Sequence, residues 1–340
     1  MHESKSSHPP RVVSGVQPTG NLHVGNYIGA IREFVRVQHE VESLFPIVDL
    51  HAITVWQDPE RLKAQTREIA AAYLAAGIDP ELSLIFHQSA VRQHTELAWL
   101  LQCVARIGWL NRMTQFKEKS GNNRERASVG LLTYPTLMAA DILVYKGTLV
   151  PMGDDQRQHV EFARDVAARF NNDFSAPDFF PLPEPLVGQE GARIMSLRDG
   201  RMKMSKSDPS DLSRIVLTDD EDTIVRKIQK AKSDSKPLPM LVEELDGRPE
   251  AANLVSLYAA LAQVTRQDVL TQFNNQGFST FKPALAQLAV EQLAPITAEM
   301  RRYLAAPDFL EKILNTGAER ARVIAETTMT EVRKIFGFIS

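Results

Sequence analysis

Lys203 and Lys206, in the run Met202-Lys203-Met204-Ser205-Lys206-Ser207, carry the most explicit chemistry in this sequence. The preceding Arg198-Asp199-Gly200-Arg201 is turn-forming and too polar for a core. In a loop, two ammonium groups at that spacing can lie along a polyphosphate, with Ser205 and Ser207 adding hydrogen-bond donors. A bare pair of lysines three apart reads equally well as an exposed basic loop. The full five-residue string is far more specific.

A second constellation stands near the start, where Thr19-Gly20-Asn21-Leu22-His23-Val24-Gly25-Asn26 joins an apolar run to a helical pattern. A helix N-terminus offers unpaired N–H groups and a positive dipole end to phosphate, and Gly25 lets the backbone approach closely. His23 could donate to a phosphoryl oxygen, although a lone histidine before a helix is more commonly structural. A third anomaly is Asp141, the one charge between Gly130 and Tyr145. A buried carboxylate is costly unless paired or hydrogen-bonded. It could pair with Lys146 or an arginine, or accept a hydrogen bond from a ligand.

The elements that must position these groups follow from hydrophobic pattern. Val12 to Val16, Phe45 to Val48 and Leu82 to His87 alternate with helical patterns at 25–41, 59–76 and 93–103. That alternation predicts an α/β, Rossmann-like parallel sheet, with ligands at the carboxyl ends of strands. The turn Gln17 to Asn26 and the segment Asp49-Leu50-His51 lie at such ends. Arg106 to Arg126 is basic and reads as an insertion, and Gly130 to Tyr145 as a buried helix entered at Pro135. Leu149 to Met152 predicts a strand, after which Gly153-Asp154-Asp155-Gln156 opens a helix running to about Phe170. Asp154 and Asp155 suit helix capping as well as binding. Proline and glycine thicken from 177 to 200, giving a linker.

Beyond about residue 217 the periodicity is helical, at 218–233, 253–263, 266–274, 282–304 and 307–336. The expected organisation is an arm at 1–10, an α/β unit at 11–200, a lysine loop at 201–210 and a smaller all-helical unit at 211–340. The last helix could pack back on the α/β unit. The helical unit holds 16 basic and 18 acidic residues, so any polyanion contact must come from a local patch. Arg226, Lys227, Lys230, Lys232 and Lys236 form one basic strip, which a solvated helix face explains equally well.

Composition narrows the class. A 340-residue chain with 44% hydrophobic and 24% charged residues fits a globular protein and disfavours fibrous or disordered ones. The single cysteine, Cys103, excludes a disulfide framework and reads as helix packing. The first eleven residues lack an apolar core for a leader, and Gly130 to Tyr145 falls short of a membrane span. A cytoplasmic location is the expectation.

From Val13 onward the chain resembles the tryptophanyl-tRNA synthetases of class I, of the bacterial type. The resemblance is carried by Ser14-Gly15-Val16-Gln17-Pro18-Thr19-Gly20, His51-Ala52-Ile53-Thr54-Val55-Trp56 and Met113-Thr114-Gln115-Phe116-Lys117-Glu118-Lys119. Leu131-Leu132-Thr133-Tyr134-Pro135, Met138-Ala139-Ala140-Asp141-Ile142-Leu143, Gly153-Asp154-Asp155-Gln156 and the lysine string complete it. It implies ATP as substrate, Mg2+ carried on the ATP phosphates with no protein metal ligand, and tRNA-Trp and a second copy of the chain as partners. No membrane is involved.

By the same resemblance Lys203, Lys206, Ser205, His23 and Lys119 serve catalysis. Gln17, Pro18, Thr19, Gly25, Asn26, Gly153, Asp154, Asp155, Ile194 and Lys203 to Ser207 hold ATP. Asp141, Tyr134, Gln156 and His51 hold L-tryptophan, Asp141 accepting from the indole N–H, while Met138, three residues before Asp141 on the same helical face, could pack on the ring. An indole nitrogen only donates, and a charged acceptor is worth roughly 1.5 to 3 kcal/mol. Two departures stand out: the family more often has threonine at His23, and many members have phenylalanine at Val13. A tyrosyl-tRNA synthetase, another adenylate-forming transferase and an inactive paralogue are the competing readings. Asp141 argues against the first, the helical unit against the second, and intact Lys203, Lys206 and Gly25 against the third.

Overall fold

The structure, a computed structural model, describes residues 7–113, 127–151, 157–186, 193–206 and 208–339. The apolar runs form strands β1 (Arg11–Val13), β2 (Glu42–Ile47), β3 (Ser83–His87) and β4 (Leu149–Pro151), joined by β5 (Glu184–Leu186). All pair in parallel, in the order β3-β2-β1-β4-β5. Because successive side chains point to opposite faces, Val12, Phe45 and Ile85 enter one apolar layer and Val13, Leu44 and Leu84 the other. The chain winds outward from β1 to β3 and then returns to lay β4 on the far side of β1. That reversal leaves a crevice at the carboxyl ends of the strands.

Strand β5 falls inside the expected linker, a correction with a simple cause. Glu184-Pro185-Leu186 has no apolar run, and proline is tolerated at the sheet's edge, where β5 lies.

The helices of this part are α1 (Val24–Asn26), α2 (Arg32–Val37), α3 (Asp49–Ala52), α4 (Pro59–Ala75), α5 (Gln93–Val104), α6 (Ile107–Leu110), α7 (Val129–Leu143) and α8 (Arg157–Asp173). The single helix expected over 25–41 is instead α1 and α2 joined by a π-helical turn, Tyr27–Ile31. Such turns often mark functional sites, and Gly29 within this one lines the cleft described below. Helix α7 also corrects its expected start. Ser128 caps it by accepting from the Leu131 N–H at 3.1 Å, so Pro135 lies inside the helix, buried. Cys103 is exposed on α5 rather than packed. Among the described residues no helix is long and apolar enough to cross a membrane.

After residue 217 come α9 (Glu221–Gln229), α10 (Pro249–Ala262), α11 (Arg266–Gln272), α12 (Phe278–Leu304) and α13 (Pro307–Phe336). They share a core with the sheet: one cluster runs from Val12, Phe34 and Tyr73 through Leu254, Phe281 and Leu293. The basic strip is interrupted, because Lys227 is fully buried against Asp219 at 2.7 Å and Asp211 at 3.0 Å, and Lys232 pairs with Glu250.

Helix α13 lies along β3 on small residues, Gly317, Ala318, Ala321 and Ala325, all buried. A Cβ on Gly317 would stand 2.0 Å from the Ile85 carbonyl oxygen, so only glycine permits this approach. Its far end packs Phe336 on Phe174, centroids 4.6 Å apart, and on Phe170. Gly317→Val is expected to lower unfolding stability by about 2–3 kcal/mol through overpacking against backbone. An unchanged urea midpoint would contradict this docking.

Candidate active site

The turn after β1, the short α3, helix α7 and the lysine loop converge on one cleft of about 680 Å3, with residues from β1, β2 and β4 in its wall. That size suits a small-molecule site, typically about 300–1,000 Å3. Gln17, Thr19, Asn26, His51, Tyr134, Met138, Asp141, Lys203, Ser205 and Lys206 line it. Lys119, Gly153, Asp154, Asp155, Gln156 and Ser207 lie outside the described residues.

One end of the cleft is built on α7, where Tyr134, Met138 and Asp141 share a face at helical spacing. Asp141 is 5% exposed. Its Oδ2 accepts from His51 Nε2 at 2.7 Å, and its Oδ1 from Gln88 Nε2 at 2.6 Å and His94 Nδ1 at 2.7 Å. Burial alone would raise this carboxyl. The facing His51 and the hydrogen bonds from both histidines outweigh it and hold the group below its usual range. An ionised carboxylate only accepts, so both histidine nitrogens donate. Lys146 turns instead to Glu331 at 3.1 Å, so the partners of Asp141 are His51 and His94 and not that lysine.

Around it, the His51 ring meets Tyr134 edge-on, and the Tyr134 hydroxyl lies 2.5 Å from His159 Nε2. Val13 lines the same cleft with Ile142, Val150 and Val160. Aliphatic groups therefore make the wall where an aromatic ring was the family expectation.

The other end is cationic. Lys206 Nζ donates to the Gln17 carbonyl at 3.3 Å, and its stem covers Gly20. Gly20 has φ +67°, and a Cβ there would lie 3.0 Å from Lys206 Cβ, so the turn needs glycine twice over. Burial lowers Lys206 to about 8, with Glu68 pulling the other way. Glu68 receives the Leu22 N–H, and burial raises it. Gln65, in the amide orientation that satisfies both partners, donates to the Pro18 carbonyl at 2.8 Å and accepts from the Gly20 N–H at 2.9 Å. Behind the lysine loop, Met195 bridges Lys203, and Asn253 holds Met195 from both sides.

Pro18, His23, Gly25, Ile194 and Met204 support the cleft from outside its lining. Ile194 and Met204 are buried in the core and joined by a Met204 N–H to Ile194 carbonyl bond of 3.1 Å. Their side chains hold the loop. His23 is 4% exposed and bridges Val216. Burial first, then the charges of Lys206, Arg214 and Lys203, lower it to about 3, so it is neutral at pH 7. Its backbone N–H donates to Asn26 Oδ1 at 3.2 Å, closing the turn.

Because Lys206 carries its charge only below about pH 8, any reaction that needs that charge in the free enzyme loses it as pH rises. The kcat/KM profile is expected to fall with an apparent pKa near 8. Lys206→Arg should remove that limb, since guanidinium stays protonated. A wild-type profile flat to pH 10 would contradict the assignment.

Gln65, Glu68, Gln88, His94, Tyr145 and Asn253 carry no signal of a site role in the sequence. Each sits in an ordinary helical or loop pattern and acquires its role from a partner distant in the chain. Among the described residues no group of three His, Cys, Asp or Glu could hold a metal ion.

Comparison with known proteins places this geometry in context. The family model for class I tRNA synthetases (W and Y) matches residues 5–294. The chain is 61% identical over 330 residues to the tryptophan-tRNA ligase of Caulobacter vibrioides, covering 97% of this chain and 96% of that one. It is 58% identical over 348 residues to that of Agrobacterium fabrum, covering 97% and 98%. Among solved structures, the tryptophanyl-tRNA synthetase of Mycoplasma pneumoniae matches with a TM-score of 0.87 at 31% identity, covering 98% of this chain and 99% of that. That of Campylobacter jejuni complexed with ADP and tryptophan matches at 0.80 and 34%, covering 96% and 100%.

Proposed function

Because the chain belongs to the class I tRNA synthetases of the W and Y group, we propose that it is a tryptophan-tRNA ligase, making tryptophanyl-adenylate from ATP and L-tryptophan and then charging tRNA-Trp. The observation that carries this reading is a cleft with an ionised, acceptor-only Asp141 at one end and the paired lysines at the other. Oδ2 of Asp141 has one donor among the described residues, which leaves a lone pair for an indole N–H. Met138 and Tyr134 supply apolar surface beside it.

Activation needs no protein nucleophile. The tryptophan carboxylate attacks the α-phosphorus, a new P–O bond forms, and the bond to the bridging oxygen breaks with its electrons leaving on pyrophosphate. Catalysis is then positioning plus charge stabilisation. Lys203 and Lys206 meet the departing pyrophosphate, and Mg2+ arrives on the ATP phosphates. Gln17, Thr19 and Asn26 hold the nucleotide at the turn, supported by Pro18, Gly25, Ile194 and Met204. His23, being neutral, serves through one N–H or through shape. The helical unit at 211–340 takes the tRNA, with Arg226, Lys230 and Lys236 exposed on its basic side.

A second copy of the chain covers Ile53, Val55, Trp56 and Val129, all more than half exposed. They form a neighbouring set, since Ser128 Oγ donates to the Thr54 carbonyl at 2.7 Å. Sedimentation as a monomer at micromolar concentration would remove that homodimer. The cytoplasm, where tRNA is charged, is the corresponding location.

Amino-acid-dependent ATP–pyrophosphate exchange across all twenty amino acids tests the activity. Exchange is expected with tryptophan alone. Exchange with tyrosine and none with tryptophan would overturn the specificity, and none with any amino acid would overturn the enzyme.

A further inference from the structure

Behind Asp141, outside the cleft lining, lies a chain of groups that the adenylate chemistry leaves unexplained. His94 is fully buried, on the first turn of α5. Its Nδ1 donates to Asp141 Oδ1 at 2.7 Å, and its Nε2 lies 2.8 Å from the hydroxyl of Tyr145, also fully buried. With Nδ1 committed to the carboxylate, Nε2 meets the Tyr145 hydroxyl, which holds the ring from its far side. The tether is itself anchored. Gln93 donates to Glu326 at 2.6 Å, and Arg333 grips Glu96 with two bonds of 2.7 Å, so α13 holds the turn that bears His94.

We propose that His94, locked by Tyr145, is a positioning residue for amino-acid specificity. Together with Gln88 it occupies Oδ1 of Asp141, so that Oδ2, which also accepts from His51, is the oxygen presented to the indole N–H. Rotation of the carboxylate would break two bonds on Oδ1, so the acceptor direction is fixed before substrate arrives. The inference rests on the tryptophan-activating reading.

The test compares pyrophosphate exchange with tryptophan and with its benzothiophene analogue, in which sulfur replaces the ring N–H. Wild type should prefer tryptophan. His94→Leu should lower kcat/KM for tryptophan about tenfold or more while changing the analogue less than about threefold, collapsing the preference. His94→Asn, whose amide donates from nearly the place of Nδ1, should restore much of it. Tyr145→Phe, which deletes one hydroxyl and keeps the packing, should lose part of it. Equal losses on both substrates in His94→Leu, with no recovery in His94→Asn and no change in preference in Tyr145→Phe, would overturn the proposal. Absence of tryptophan-dependent exchange in wild type would instead overturn the reading beneath it.

Discussion

Asp141→Ala is expected to lower kcat/KM for tryptophan by about 10- to 100-fold, mainly through KM. Deleting a charged hydrogen-bond acceptor removes roughly 1.5–3 kcal/mol from a partner that can only donate. The truncation also leaves His51, His94 and Gln88 with donors and no acceptor in a buried place. Each such orphan costs about 1–3 kcal/mol, so the variant should also unfold earlier. ATP affinity should hold, because the cationic end of the cleft stands on other elements. The decisive measurement is exchange at saturating ATP over a range of tryptophan concentrations. Loss of stability with an unchanged kcat/KM would make Asp141 a structural carboxylate and nothing more.

The second large effect is expected from Lys206→Ala, about 100- to 1,000-fold in the rate of adenylate formation. That range is typical for removing one group aimed at charge that develops in a transition state. Tryptophan binding, measured by fluorescence quenching without ATP, should change less than about threefold, since Asp141 is untouched. The turn itself should survive: Gly20 and Pro18 remain tied to Gln65 when the lysine stem is gone. A pre-steady-state rate equal to wild type would remove this lysine from the mechanism. Lys206→Arg is not a neutral control, because a planar fork replaces a compact point charge that contacts the Gln17 carbonyl.

Much of the architecture was legible because apolar runs and helical periodicity are local signals. The parallel sheet, the glycine turn after β1 and the helices beyond 217 all follow from patterns within a few residues of themselves. The misreadings share the opposite cause. Pro135 reads locally as a helix start, yet the Ser128 cap and packing around α7 carry the helix through it. Glu184-Pro185-Leu186 pairs only because β4 lies alongside. Cys103 follows an apolar run but faces outward on α5.

The site divides the same way. Lysine spacing and the glycine turn are sequence properties, since both depend on chemistry held within one loop. Asp141 stands out as an isolated charge in an apolar run, and the family resemblance implies an indole N–H as its ligand. What no linear reading contains is the set of partners: His51 after β2, Gln88 after β3 and His94 on α5 reach one carboxylate from separate elements. The sequence by itself therefore determined the sheet class, the lysine-bearing loop and the presence of a costly carboxylate. Tertiary structure alone decided that this carboxylate is ionised and accepting, that His23 is neutral, and that Lys206 titrates near 8. The physical reason is that ionisation and hydrogen-bond direction depend on burial and on neighbours within a few ångströms, and folding chooses those neighbours from anywhere along the chain.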